Sequence, residues 1–459
     1  MTTPSPDGPE PLQIMMMIKR LSSKPLLSVT FAALLAAYTP AARAQNTYTY
    51  HFDMRPGQPK AGWIAVKPDQ AYNGSYGFDM GTVVKAVAHP GKKVSGAVTS
   101  DQPFYFSASV PEGNYRITLT LGDQEQSSNT TVKAESRRLM LENVVTKPGE
   151  FKIISFMVNV RKPQISGGDS VRLKPREVGK LDWDDKLTLE FDGKTFLNTL
   201  EIQKVTDQIT VYLAGNSTVV DQDDEPWAAW GQMIPRFFKQ GVAVANHAES
   251  GLTLGSFMGS KRLDKVMSLI RPGDYLFIEF GHNDQKEKGP NDGPWRSYAE
   301  RLKTYIARTR QKGAIPVIVT STARRSFDAE GRTVNTLGEY PDAARKVARD
   351  EGVTLIDLNA MTTRFYDALG VEPSKKALVH YPANTFPGQT KAFEDNTHFN
   401  PYGAYELAKC VAQGIRTSDL ALKEYLVDMP AFDPSHPDAL DSFNWPLSPK
   451  NSTIKPDGN

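Results

Sequence analysis

Beyond Asp207 the chain repeats one unit, an apolar stretch of strand length followed by an amphipathic stretch of helix length, and this repetition constrains the fold more than any other feature. The apolar stretches are 209–213, 242–246, 275–280, 315–320 and 353–358, starting at intervals of roughly 33 to 40 residues, the length of a βαβ unit. Between them Trp227, Trp230, Ile234 and Phe237 predict a first helix. Leu263, Val266, Met267 and Ile270 predict a second, and Tyr298, Leu302, Tyr305 and Ile306 a third. Five parallel strands with crossover helices make a three-layer open α/β sheet. Such sheets bind ligands beyond the carboxyl ends of the strands, where strand order reverses.

The preceding stretch, 45–206, has a different period. Short runs such as 104–106, 115–119, 151–158 and 186–191 are separated by turn formers, among them Pro111-Glu112-Gly113-Asn114 and Asp192-Gly193, and no helix-length amphipathic segment interrupts them. This half reads as an antiparallel β-sandwich, followed by an α/β domain over 207–416 and a tail over 417–459 rich in Pro, Asp and Ser that wraps the surface. With 459 residues the chain can bury large cores without staples, and Cys410, its single cysteine, sits on an apolar helical face.

The first 44 residues read as an export leader. Lys19, Arg20 and Lys24 precede an apolar run over 26–37, then Ala42-Arg43-Ala44, so cleavage is expected before Gln45, with Met15, Met16 and Met17 as alternative starts. The location expected is periplasmic or extracellular. Lys19, Arg20, Lys24 and Arg43 against Asp7 and Glu10 give the leader the whole formal charge of +2. The remaining body is neutral, which argues against binding of nucleic acid or an anionic membrane by overall charge, and neither partner is expected once the leader is gone.

Chemistry-bearing residues collect where the predicted strands end. The first strand runs into Gly215-Asn216-Ser217-Thr218, the second into His247-Ala248-Glu249-Ser250-Gly251, and the third into Gly281-His282-Asn283-Asp284; Asp395-Asn396-Thr397-His398 precedes a helix opened by Asn400-Pro401. A serine nucleophile needs a base, a carboxylate to orient that base, and donors aimed at the oxyanion. Ser217, His398 and Asp395 supply the first three, with Gly251 and Asn283 as donors; Asp and His three residues apart in a turn can lie side by side. His51, His89, His247 and His380 have no metal-ligand spacing, so neither metal nor other cofactor is expected.

These four segments, in this order, resemble the blocks of the SGNH (GDSL-type) hydrolase superfamily, and their wording looks most like the rhamnogalacturonan acetylesterase branch, carbohydrate esterase family twelve. Asn216 stands where the GDSL name calls for Asp. The resemblance implies a flavodoxin-like fold for the α/β domain, Ser217 as nucleophile, His398 as base and Asp395 as its orienter. The oxyanion donors it implies are the Ser217 and Gly251 N–H groups with the Asn283 side chain. The β half resembles the galactose-binding-like jelly rolls attached to such esterases, with Trp63, Tyr72, Tyr76 and Phe78 as candidates for sugar stacking or for core.

The activity implied is removal of O-acetyl groups from an acetylated acidic polysaccharide such as pectin. Alternatives are acetylxylan esterase, another esterase or lipase on the same machinery, and a glycan-binding protein with an inactive esterase half. Arg324 and Arg325, after the fourth strand, are candidates for binding a uronate carboxylate, with pairing to Asp328, Glu330 or Asp342 as the plain alternative; His282 is read as a wall of the substrate site. Residues 207–459 are expected to carry the whole hydrolase machinery.

Overall fold

The β-rich half folds as two stacked sheets because its strands alternate inward apolar with outward polar residues. A computed structural model describes residues 48–92 and 96–457; the expected leader and its cleavage point lie outside the described residues. The strands of this half are β1 (Thr49–Asp53), β2 (Ile64–Ala65), β3 (Tyr76–Asp79), β4 (Lys85–Ala88), β5 (Gly96–Thr99), β6 (Phe104–Ser109), β7 (Gly113–Leu121), β8 (Ser128–Ala134), β9 (Arg138–Thr146), β10 (Lys152–Val160), β11 (Lys186–Lys194) and β12 (Leu197–Val205). One sheet has the order β10-β7-β12-β1-β2, with β5 and β4 continuing from β12; the other is β3-β6-β11-β8-β9. Pairing between these strands is antiparallel except where β1 meets β2. In β7, Tyr115, Ile117, Leu119 and Leu121 are all fully buried and face Phe106, Leu189 and Phe191 of the opposite sheet in one core. Phe52 of one sheet meets Phe106 of the other edge-on at 5.1 Å.

The α/β half builds the expected parallel sheet from β13 (Ile209–Gly215), β14 (Val242–Asn246), β15 (Tyr275–Glu279), β16 (Ile315–Val319) and β17 (Thr354–Ile356), in the order β14-β13-β15-β16-β17. Its helices are α1 (Trp230–Met233), α2 (Leu254–Gly259), α3 (Arg262–Leu269), α4 (Ala299–Gln311), α5 (Tyr340–Asp350), α6 (Leu358–Leu369) and α7 (Pro401–Thr417). Successive residues of β13 enter different cores. Val211 and Leu213 pack with α1, α6 and α7, while Tyr212 and Ala214 pack with α2 to α5, which makes three layers. Strand order reverses at β13, between β14 and β15, so the crevice at the carboxyl end of β13 is where a ligand is expected.

The first crossover departs from the predicted helix. α1 is a single turn and passes into a 3-10 turn, Ile234–Phe237, because Pro235 has no N–H to continue the α-helical ladder. Trp227, Trp230, Ile234 and Phe237 are buried all the same.

The two halves share a buried polar seam. Arg138 and Arg161 of the β half, each 2% exposed, approach Asp221 of the α/β half at 3.2 and 3.8 Å, and both also approach Asp182. The tail crosses both halves. Lys133 donates to the Pro446 carbonyl at 2.7 Å and to Ser448 Oγ at 2.8 Å, and the Trp445 indole donates to Glu225 at 2.8 Å. Among the described residues no helix is long and apolar enough to cross a membrane.

Candidate active site

β13 delivers Ser217 on a turn closed by Asn216. The Asn216 Oδ1 accepts from the Thr218 N–H at 3.1 Å and the Thr218 hydroxyl at 2.9 Å, while the Asn216 carbonyl accepts from the Val219 and Val220 N–H groups. A carboxylate could accept the first two bonds equally well. The amide adds a donor, Asn216 Nδ2, which is buried without a partner. Ser217 is 2% exposed, and its carbonyl accepts from Gln222 Nε2 at 3.0 Å. Below the turn, fully buried Glu279 at the end of β15 lies 2.8 Å from the same Thr218 hydroxyl, whose single hydrogen it shares with Asn216 Oδ1, and accepts from the Trp230 indole N–H. Burial pushes the Glu279 carboxyl up to about 7 against these hydrogen bonds, so it is poised between neutral and charged near neutrality.

Asp395 and His398 lie on a ribbon rather than in the simple turn expected. The strand β18 (Leu378–Tyr381) pairs with β19 (Phe393–Phe399), but the register jumps from Leu378 opposite Phe399 to His380 opposite Glu394, so 395–398 bulge out together. Within the bulge Asp395 Oδ1 accepts the Thr397 and His398 N–H groups at 2.8 and 3.0 Å, and Oδ2 meets His398 Nδ1 at 2.7 Å. Burial alone would raise the Asp395 carboxyl. The bonds from the His398 side chain and the two N–H groups win and hold it well below the ordinary carboxylate range. With Nδ1 taken, Nε2 of His398 is left, buried and without a hydrogen-bond partner. Trp227 stands edge-on to the imidazole at 5.9 Å, and the Ala228 N–H bonds the Phe399 carbonyl at 2.9 Å, tying the segment after Ser217 to the ribbon.

Gly251 has φ +78°, a left-handed conformation suited to glycine, and closes the loop after β14. Asn283 follows β15 and is held by Nδ2 donating to the Leu252 carbonyl at 3.2 Å, a bond that uses one of its two amide hydrogens. Asp284 beside it accepts the Leu254 and Gly281 N–H groups at 2.9 and 3.0 Å; burial pushes its carboxyl up to about 7. Gly251 and Asn283 line one cleft of about 620 Å³ with Lys174, Lys286 and tail residues 455–457. A larger cavity of about 780 Å³ lies in the β half against Pro449 and Lys450 and contains none of the candidate site residues.

The candidates for substrate contact divide. Arg324 is half-buried, with Nη2 donating to the His282 carbonyl at 3.3 Å, so it adjoins the site. Arg325 does not serve as a free cation. It is 9% exposed and donates to Ser374 Oγ and Asn396 Oδ1, both at 3.0 Å, and to the Val371 carbonyl, while its N–H holds the Asn396 carbonyl. Its planar fork is spent bracing the ribbon that carries Asp395 and His398. The carboxylates offered as plain partners pair elsewhere, Asp328 and Glu330 with Arg332 and Asp342 with Arg345. His282 is fully buried; desolvation, with Arg324 and His398 nearby, pushes it well below the usual histidine range, so it stays neutral. Of the aromatic candidates in the β half, Phe78 is core, edge-on to Phe104 and Phe106, and Tyr76 packs on Phe52; Trp63 and Tyr72 remain half-exposed.

Sequence reasoning missed a cationic rim from outside the strand-end motifs. Lys174 and Arg176 come from the β half, and Lys455 comes from the tail, with Nζ 3.2 Å from Asp395 Oδ2. Nothing in a lone Lys-Pro-Arg between two β runs, or in a Pro-rich tail, marks them in advance.

Comparison with known proteins gives this arrangement a setting. Residues 212–404 match the GDSL-like Lipase/Acylhydrolase family. The rhamnogalacturonan acetylesterase RhgT of Bacillus subtilis (strain 168) is 46% identical over 221 residues, 48% of this chain and 94% of that relative. The esterase YxiM of the same organism is 26% identical over 400 residues, 83% of this chain and 94% of that relative. The crystal structure of that YxiM protein matches at a TM-score of 0.43 and 25% identity, covering 81% of this chain and 99% of the other.

Proposed function

We propose, from the premise that this chain belongs to the GDSL-like lipase/acylhydrolase family, that it is a serine acetylesterase acting on acetylated rhamnogalacturonan, the pectic polysaccharide of plant cell walls. The chain is a carboxylic ester hydrolase, as its homologues are. The observation that carries the mechanism is the His398–Asp395 contact of 2.7 Å, with Nε2 left unpartnered. An imidazole whose Nδ1 is tied to a carboxylate presents Nε2 as the base.

In this reading Ser217 Oγ gives its proton to His398 and attacks the acetyl carbonyl. The oxyanion takes hydrogen bonds from the Ser217 and Gly251 N–H groups and the second hydrogen of Asn283 Nδ2, each worth about 2.7–4 kcal/mol of barrier lowering. His398 then protonates the departing sugar oxygen, and water activated by the same imidazole releases acetate from the acetyl-serine. Asp395, held charged by its hydrogen bonds, stabilises the imidazolium in both halves.

Export before Gln45 belongs to the same proposal, supported by the basic, apolar and Ala-x-Ala order of residues 19–44 and by a polymer substrate met outside the cytoplasm. The β half is read as a galactose-binding-like jelly roll. The test is acetate release from acetylated rhamnogalacturonan, acetylated xylan and p-nitrophenyl acetate by the full chain and by Ser217→Ala. Release from the pectic polymer, lost in the variant, is expected; turnover by Ser217→Ala near that of the parent removes Ser217 from the mechanism, and release from xylan alone overturns the substrate.

A further inference from the structure

The turn Pro175–Glu177 belongs to the β half by sequence but is built into the site of the α/β half. Its buried Glu177 is gripped by Arg262 of α3, with Nη2 2.7 and 2.5 Å from the two carboxylate oxygens, and accepts the Lys174 N–H at 2.8 Å. The turn therefore has a fixed position. From it Arg176 reaches Glu249, donating Nε at 2.9 Å and Nη2 at 2.5 Å to one oxygen, and Nη2 also meets the Ser250 carbonyl at 2.9 Å. These bonds orient the guanidinium and leave Nη1 pointing elsewhere. Lys174 Nζ is anchored on the same Ser250 carbonyl at 2.6 Å.

Both free ends converge on one carboxylate. Asp457 Oδ2 lies 2.7 Å from Arg176 Nη1 and 3.3 Å from Lys174 Nζ. The place is directly against the expected oxyanion loop, since a Cβ built on Gly251 would stand 2.8 Å from Asp457 Cβ and 3.2 Å from Lys174 Nζ. Two residues earlier, Lys455 Nζ reaches Asp395 Oδ2 at 3.2 Å. The tail thus runs from beside Asp395 to beside Gly251, two of the proposed active-site residues. Its hold is exchangeable, because Asp457 is 58% exposed and an ion pair so exposed is weak and screened by salt.

We propose that Lys174 and Arg176 form a carboxylate subsite beside Gly251 that binds a uronate unit of the polysaccharide, and that residues 455–457 occupy it in the free protein as a stand-in for substrate. The proposal rests on the polysaccharide acetylesterase reading above. It adds to that reading a charged subsite supplied by the half that carries none of the proposed catalytic residues. The cleft of about 620 Å³ that Asp457 shares with Asn283 and Lys286 gives a sugar unit room once the tail leaves.

The test is calorimetric binding of trigalacturonate and of its fully methyl-esterified form to the full chain, alongside acetate release. The acid is expected to bind at least about tenfold more tightly than the ester, more weakly as salt rises. Asp457→Asn, which loosens the tail, should tighten trigalacturonate about fivefold. Arg176→Gln should weaken it about tenfold and bring acid and ester close together; Lys174→Gln, which leaves Glu249 paired, should move the same way by less. Equal binding of acid and ester by the parent chain, or an undiminished preference in folded Arg176→Gln and Lys174→Gln, overturns the subsite. Selective binding of the acid without acetate release from any pectic polymer keeps the subsite and instead removes the acetylesterase reading.

Discussion

The α/β half and the β half reach the same site by opposite means. Asp395 and His398 are three residues apart and find each other within one bulge, whereas Arg176 finds Glu249 73 residues away and Glu177 finds Arg262 85 residues away. Local placement costs little ordering beyond the turn itself, so the chemistry can sit on short motifs. Placement across a seam works only if both partners are already held, and that is why the β half meets its neighbour through buried ion pairs.

The largest effect should come from the local pair. Asp395→Asn removes the carboxylate that fixes the His398 tautomer, and kcat on p-nitrophenyl acetate should fall about 10⁴-fold with the fold intact by circular dichroism. His398→Ala should lose at least as much, and the double variant little more, because groups acting as a unit are not additive. A loss below tenfold in Asp395→Asn would mean that the short-range pair is not what drives the site.

The seam should yield next. Arg138 lies 3.2 Å from Asp221, and its Nη2 also donates to the Asn159 carbonyl at 3.0 Å. Burial and the neighbouring Asp182 push the Asp221 carboxyl well up despite Arg138 and Arg161, so Arg138→Met mainly strips hydrogen bonds from buried acceptors, which should lower stability by about 1–3 kcal/mol in urea denaturation. The same argument bears on a fragment of residues 207–459, which would lack Arg138, Arg161 and the Lys174–Arg176 rim. Retention of parental stability by Arg138→Met would reduce the β half to an appendage.

This contrast also sets what could be read in the sequence. The parallel sheet was legible because a βαβ repeat writes its period into the chain; Ser217, Gly251 and Asn283 were legible as candidates because each follows a strand of that repeat, and Asp395 and His398 because they stand three residues apart just before a helix, although they lie within the bulged β19. The first helix misled because the apolar spacing continues through Pro235 while the backbone hydrogen bonding does not. Arg325 misled because a guanidinium beside the site looks alike whether it meets solvent or, as here, Ser374, Val371 and Asn396. Lys174, Arg176 and Lys455 could not be read at all, since their positions depend on contacts between distant segments.

A smaller effect separates two buried carboxylates. Asp192 of the β half shares Lys133 with Glu190, and burial with Glu190 beside it still lifts it to about 8, whereas Glu279 has, among the described residues, the Thr218 hydroxyl, the Trp230 indole and backbone as partners and no charged one. Because burial lifts Glu279 from about 4.5 to about 7, the folded chain keeps that proton where the unfolded chain has lost it. Stability should therefore fall as pH rises through this window, by about 1–3 kcal/mol from this group. Glu279→Gln should lessen the fall of Tm between pH 4.5 and 7, leaving the slope that Asp284 and Asp184, also lifted to about 7, and Asp192, lifted to about 8, contribute. An unchanged Tm profile would show that Glu279 is charged in the folded chain.

The smallest effect is expected at the surface of the β half, where a sugar platform needs an aromatic face clear of neighbours. Trp63 is half-exposed, but Lys60 Nζ lies 5.1 Å from its ring centroid and the His51 ring leans on it at 5.1 Å. A cation over the ring already takes the attraction a sugar C–H would use, and removing it to admit a sugar has its own cost of about 0.5–1 kcal/mol. Trp63→Ala should therefore change retardation of the full chain in gels containing acetylated rhamnogalacturonan by less than about twofold. The Lys174 and Arg176 variants should abolish most of that retardation. A tenfold loss in Trp63→Ala would reverse the order and make stacking on the β half, rather than charge at the seam, its main contribution to binding polymer.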